Sequence, residues 1–308
     1  MDYSVLLQKI LLLVMIMAIG FISNKCGLLD SAFSVKLSRF LLNVFVPAML
    51  LSAGLSSELT FDRRDLLQVG SAALFFLFFL IAVSYLLVFI LHPKKEELGL
   101  YRFLGIFPNN AFFGYPVVAM VLGDTAVVYA AALSLPFTLL VFSVGPAILS
   151  GKKADLSADG LRSAVNPCTI ASIVAVLLIA FPVRMPVVVS DLMKTLSNAT
   201  LPLVFMIIGS NLATMKPEEL FGKPLIYVFE LFRRIAVPIA AYYLACLLFH
   251  DRILTGCMAI LASVPAASSG ILIVESRSED PRPISEFVFK STLLSIITIP
   301  AVLAILFW

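Results

Sequence analysis

Apolar runs of about 20 residues recur along the chain, each closed by a short polar cluster. A helix of that length spans a hydrocarbon core about 30 Å thick. The pattern predicts ten membrane helices, over 5–24, 35–55, 66–91, 103–122, 126–149, 165–183, 192–213, 231–249, 253–274 and 287–307. The eighth is the least clean, because Arg233 and Arg234 sit close to its start, and 216–230 before it reads as a surface helix. The first run has no small-residue cleavage site before Asn24 and Lys25, so it reads as a retained helix rather than a removed signal peptide.

An internal repeat organises these segments. Leu41, Asn43, Pro47 and Gly54 in the second are matched by Leu196, Asn198, Pro202 and Gly209 in the seventh, all at an offset of 155 residues. The fourth is broken between Pro108 and Gly114, and the ninth between Pro265 and Gly270, at a nearly equal offset. The chain therefore reads as two five-helix halves, 1–150 and 151–308, joined by the polar stretch 151–162. Five is odd, so the second half enters the membrane upside down, an inverted-topology arrangement used by secondary transporters. The expected fold is an all-α polytopic membrane protein with crossed, broken fourth and ninth helices.

Composition agrees and adds orientation. Of 308 residues 61% are hydrophobic and 13% charged, with a mean hydropathy of +1.05, against about 25% charged in soluble domains. That excess has to face lipid. The net charge of +3 is no nucleic-acid signal. Of the 22 Lys and Arg, 16 fall in loops on one side, Arg39, Arg233, Arg234 and Lys290 among them. Positive loops stay inside, which predicts a multi-pass protein of the cell (inner) membrane with both termini outside and Trp308 at the outer interface.

Chemistry concentrates at the two breaks. Proline removes an N–H and clashes with the preceding turn. Unwound backbone at membrane depth survives only inside protein or beside water. Half-helices restarting there present N–H groups and a partial positive charge, with Pro116 suited to a first turn. Two such ends converging form an anion site without any basic residue. Asn109, Asn110, Ser268 and Ser269 would add hydrogen bonds, with Gly114 beside them; the alternative is a pair of kinks that only shape packing. Asn43 and Asn198 either point into the same cavity or satisfy carbonyls freed by the prolines. Asn166-Pro167 reads as a helix cap and start rather than a ligand. No charged residue is expected deep within a span, and His92 and His250 fall in loops. Cys26, Cys168, Cys246 and Cys257 form no CxxC and lie at no metal spacing. No cofactor, metal site or enzyme chemistry is indicated.

At these motifs the chain resembles the auxin efflux carrier family, which includes the plant PIN auxin exporters and bacterial permeases described for malonate and malate. Pro108-Asn109, four residues, then Gly114-Tyr115-Pro116 match the family's crossover pattern; Asn43 to Pro47, Asn166-Pro167 and Ser291 to Pro300 also fit. Gly270 stands where plant members have a second proline, and the short central loop is similar to bacterial members. The resemblance implies a sodium/proton-antiporter-like fold. A scaffold of segments one, two, six and seven would hold a moving transport domain of three to five and eight to ten. The expected function is alternating-access transport of a small organic anion, in a monomer or a homodimer. A sodium-coupled symporter of the bile-acid type and a non-transporting receptor are the alternatives.

Overall fold

A computed structural model describes residues 3–56, 62–151, 165–181, 185–214, 223–276 and 280–307. Trp308 and most of the connection 151–162 lie outside them. Among the described residues the chain is helical, with one isolated antiparallel bridge. The helices are α1 (Tyr3–Lys25), α2 (Ser31–Phe40), α3 (Val46–Ser56), α4 (Arg63–Leu91), α5 (Leu98–Ile106), α6 (Tyr115–Leu122), α7 (Ala126–Ser143) and α8 (Gly145–Ser150). They continue as α9 (Pro167–Ala180), α10 (Val187–Ala213), α11 (Pro224–Leu231), α12 (Val237–Leu248), α13 (Arg252–Ser263), α14 (Ser269–Ser276) and α15 (Arg282–Phe307).

Six helices among them are long and apolar enough to cross a membrane: Ala32–Leu55, Arg63–Leu91, Ala126–Ser143, Val187–Ala213, Pro224–Leu248 and Arg282–Phe307. Shorter apolar helices are Leu11–Lys25, Asn110–Leu122, Pro167–Ala180 and Arg252–Ser263. The protein is thus an all-helical, polytopic membrane protein.

Polar residues start several of these helices. Asp62 accepts from the Arg64 and Asp65 N–H groups, and Asp65 reaches back to the Asp62 N–H, closing a capping box on α4. Asp30, Asn166 and Asp251 cap α2, α9 and α13 by accepting from backbone N–H groups of the first turn.

Three widened π turns join helix pairs into continuous rods: Leu41–Phe45 between α2 and α3, Asn110–Gly114 before α6, and Phe232–Ala236 between α11 and α12. The second residue after each turn is a proline: Pro47, Pro116 and Pro238. The ring of a mid-helix proline clashes with the carbonyl four residues back. One extra residue in the turn relieves that clash without ending the helix. Thr200 donates its hydroxyl to the Phe45 carbonyl, 3.3 Å away in the first of these turns. Pro202, by contrast, sits inside the unbroken α10.

α1 lies along α10 with backbones in contact. A Cβ on Gly209 would stand 1.9 Å from the Met17 carbonyl oxygen, and one on Gly20 would stand 2.0 Å from that of Met206. α9 and α10 both pack on α3, where Gly54 faces the Ala175 backbone. The other helices form a second group, in which α4 packs on α5 and α7, α12 on α13, and α11 on α15. The two groups meet mainly where α7 lies on α9 and α3.

One expectation is overturned. Glu230, Arg233, Arg234 and Lys290 are fully buried, although all four were expected in or next to loops. The helical segment begins at Pro224 rather than near 231, which carries Glu230 and both arginines into the interior. Glu230 pairs with Arg234 at 2.8 Å one turn away, and Lys290 with Glu286 at 2.7 Å. Such pairing is what admits charge to a low-dielectric interior. Setting aside the three buried cations, 13 of the 16 Lys and Arg remain against six on the other side.

Candidate functional site

The breaks at Pro108 and Pro265 meet. Between α5 and the π turn at Asn110, residues 107–109 are non-helical, and between α13 and α14, so are 264–268. The Asn109 N–H donates to the Pro265 carbonyl at 2.8 Å, and the Ala267 N–H to the Phe107 carbonyl at 2.9 Å. These two bonds place Pro108 opposite Ala266 as an antiparallel bridge. In that pairing the opposed residues exchange no bond of their own, so the N–H that proline lacks costs nothing. The Ala266 N–H turns outward to the Ser291 hydroxyl at 2.9 Å. These bonds reconnect backbone groups that the breaks strip of helical partners, the condition under which unwound backbone is tolerated at membrane depth.

On each strand of the bridge one half-helix ends and another begins. Asn109 caps the outgoing one, its Oδ1 accepting from the Phe112 N–H at 3.3 Å, while its amide nitrogen lies 3.5 Å from Ser268 Oγ. Thus the helix restarts at Asn110, and Pro116 stands within it, just after a π turn. On the second strand α14 restarts at Ser269, so Gly270 lies in its first turn rather than at the break. A Cβ there would come within 2.5 Å of Ile284 and Phe103 side-chain carbons, and one on Gly114 within 2.7 Å of Leu261. Both glycines serve close packing.

A cavity of about 320 Å³ opens against the bridge. On one side it is lined by Pro108, Asn109, Asn110, Ser268 and Ser269, and on the other by Arg39, Asn43 and Asn166. Phe107, Phe112, Phe137 and Phe142 form apolar walls. Asn110 is only 7% exposed, and its Oδ1 has no hydrogen-bond partner. Asn43 lines the cavity and donates to the Arg39 carbonyl at 2.6 Å, which is not a carbonyl that Pro47 frees. Asn166 caps α9 through the Thr169 N–H at 3.1 Å and lines the cavity as well. Asn198 is exposed on α10 and is not part of the lining. Arg39 was placed in a loop by the sequence reading; it stands one helical turn before Asn43, a spacing that puts both on one face.

A cavity with a cation at its rim, amides and hydroxyls beside two helix starts, and phenyl walls suits an anion with an apolar body. Among the described residues, no cluster of His, Cys, Asp or Glu is arranged to hold a metal.

The whole length bears on identity. Residues 5–303 match the family described as membrane transport protein, that of the auxin efflux carriers. The chain belongs to this family. An uncharacterized transporter of the archaeon Methanocaldococcus jannaschii is 24% identical over 304 residues, covering 95% of this chain and 96% of that protein. Membership in the auxin efflux carrier family makes this chain a membrane transport protein, and the described apolar helices are those of one.

Proposed function

We propose that this family member is a secondary carrier of a small organic anion, held at the crossover of the two broken segments. The observation that carries this reading is the cavity between the two helix groups, with the bridge on one wall and Arg39, Asn43 and Asn166 on the other. The six long and four shorter apolar helices make ten segments, read as two inverted repeats with a scaffold (α1–α3, α9, α10) and a transport domain (the remainder). The packing of α1 on α10, close at Gly20 and Gly209, is mirrored by that of α9 on α3, close at Ala175 and Gly54; Gly20 and Ala175 are 155 residues apart, as are Gly54 and Gly209. The bridge bonds interchange in the same way under an offset of 158. Both support the repeat. Rocking one group against the other would expose the cavity to each side in turn.

Arg39 and the short link before α9 lie on the side that the positive-inside rule makes cytoplasmic, so the cavity would face inward here, with both termini outside the cell membrane. An anion leaving a cell that is negative inside gains roughly 2.3 kcal/mol per charge per 100 mV, which favours export. The test is counterflow in proteoliposomes with radiolabelled malonate, malate and indole-acetate, with and without a sodium gradient. Saturable exchange of one anion is expected, and it is abolished in Asn109→Ala and Pro108→Ala at unchanged expression. Full activity in both variants refutes the site. Exchange that requires sodium favours the symporter reading.

A further inference from the structure

Four half-helix ends meet at the crossover. The two N-terminal ends carry partial positive charge, and the two C-terminal ends carry partial negative charge in their last carbonyls. Left bare, the second pair would cancel the first and would form a ring of oxygens suited to a cation. In this chain buried arginines occupy those carbonyls. Arg233 donates through Nε to the Gly105 carbonyl at 2.6 Å and through Nη1 to the Ala262 carbonyl at 2.8 Å, so that one guanidinium holds the ends of both α5 and α13. Arg234 donates through Nη1 to the Val264 carbonyl. These carbonyls lie within three residues of Pro108 and Pro265, so the guanidinium groups back directly onto the bridge.

The charges of this cluster do not balance. Glu230 is held by Arg234 Nε at 2.8 Å and by the Ser291 hydroxyl at 2.6 Å, and the same hydroxyl accepts from Ala266. Among the described residues Arg233 has no carboxylate partner, and its Nη2 is buried without a hydrogen-bond acceptor. Two cations and one anion, all fully buried, leave one positive charge over. A buried charge without a counter-charge is costly, and that cost falls when an anion enters the adjoining cavity.

We propose that Arg233 and Arg234 are positioning residues of the crossover: fixed internal cations that cover both half-helix C-termini and set the cavity's preference for anions. This rests on the carrier reading above and adds residues outside the cavity lining. The test compares concentration dependence of counterflow in proteoliposomes for the parent chain, Arg233→Gln and Glu230→Gln, with whichever of malonate, malate and indole-acetate the parent exchanges. A unit charge acting over about 10 Å of partly polar protein changes affinity by about tenfold. Arg233→Gln should therefore raise KM by about tenfold, and Glu230→Gln, which keeps the shape but removes the negative charge, should lower it. A merely structural role reduces the amount of folded carrier or the maximal rate in both and moves KM in neither. Should Arg233→Gln fail to fold, the fall in KM of Glu230→Gln decides alone. Unchanged KM, or a shift of the same sign in both, overturns this inference and leaves the carrier standing. Absence of exchange by the parent chain overturns the carrier reading itself, and this inference with it.

Discussion

Alanine at Gly209 tests the closest glycine contact among the described residues. Its Cβ would stand 1.9 Å from the Met17 carbonyl oxygen, and the neighbouring atoms are backbone on both sides. No rotamer can yield, so α1 has to retreat from α10 by about 1.5 Å to restore ordinary contact distance. That movement also opens the Gly20 contact with Met206, three residues along the same face. A gap of 0.5–1 Å forfeits about a quarter to a half of each dispersion contact, and overpacking usually costs about 1–3 kcal/mol. Lipid offers no hydrophobic compensation for separated helices, so about 3 kcal/mol is expected. For a chain of this size that lowers the melting temperature by roughly 5–10 °C. The assay is thermal unfolding of the detergent-purified protein. Gly70→Ala is the internal control: nothing lies within 4 Å of its added Cβ, about two turns into α4. There alanine should be neutral or stabilising by up to about 1 kcal/mol. Equal melting temperatures for Gly209→Ala and Gly70→Ala would refute the claim that α1 and α10 touch through glycine.

Two further outcomes follow from the crossover and the cavity. Ser291→Ala removes the hydroxyl shared by the Ala266 N–H and Glu230, leaving a buried donor without its acceptor; a loss of about 1–3 kcal/mol is expected, read in the same melt, and no loss would show that the bridge does not need this support. Cys168 alone among the four cysteines lines the cavity. In a variant with Cys26, Cys246 and Cys257 replaced by alanine, labelling of Cys168 by a small thiol reagent should slow severalfold under saturating transported anion; an unaltered rate would place the anion elsewhere.

Much of this was visible in the apolar pattern. The segments, the two breaks and the cluster of Asn and Ser around them follow from hydropathy and from the scarcity of proline and asparagine in lipid. The buried charges were not visible, because a hydropathy window treats Glu230, Arg233 and Arg234 as the edge of a segment. Only their partners, the i,i+4 carboxylate and carbonyls more than 28 residues away in sequence, make the interior tolerable. Pro116 marked a helix start in the sequence, whereas a π turn lets the helix run through to it from Asn110. Asn198 repeats Asn43 in spacing, yet only the second segment widens before its proline, and the two side chains end in different surroundings. Spacing pairs the two positions in the proposed repeat; it does not record that their surroundings differ.

The bridge at Pro108 and Ala266 takes one strand from residues before the central link and the other from residues after it. Neither half of the chain can form it alone. If the two halves form the inverted repeat proposed here, a polypeptide of half this length would have to insert in both orientations and meet its own inverted copy to make the same pair of hydrogen bonds. Duplication and fusion would relieve such an ancestor of dual insertion. It would also free the two strands to differ, as Pro108 and Ala266 now do.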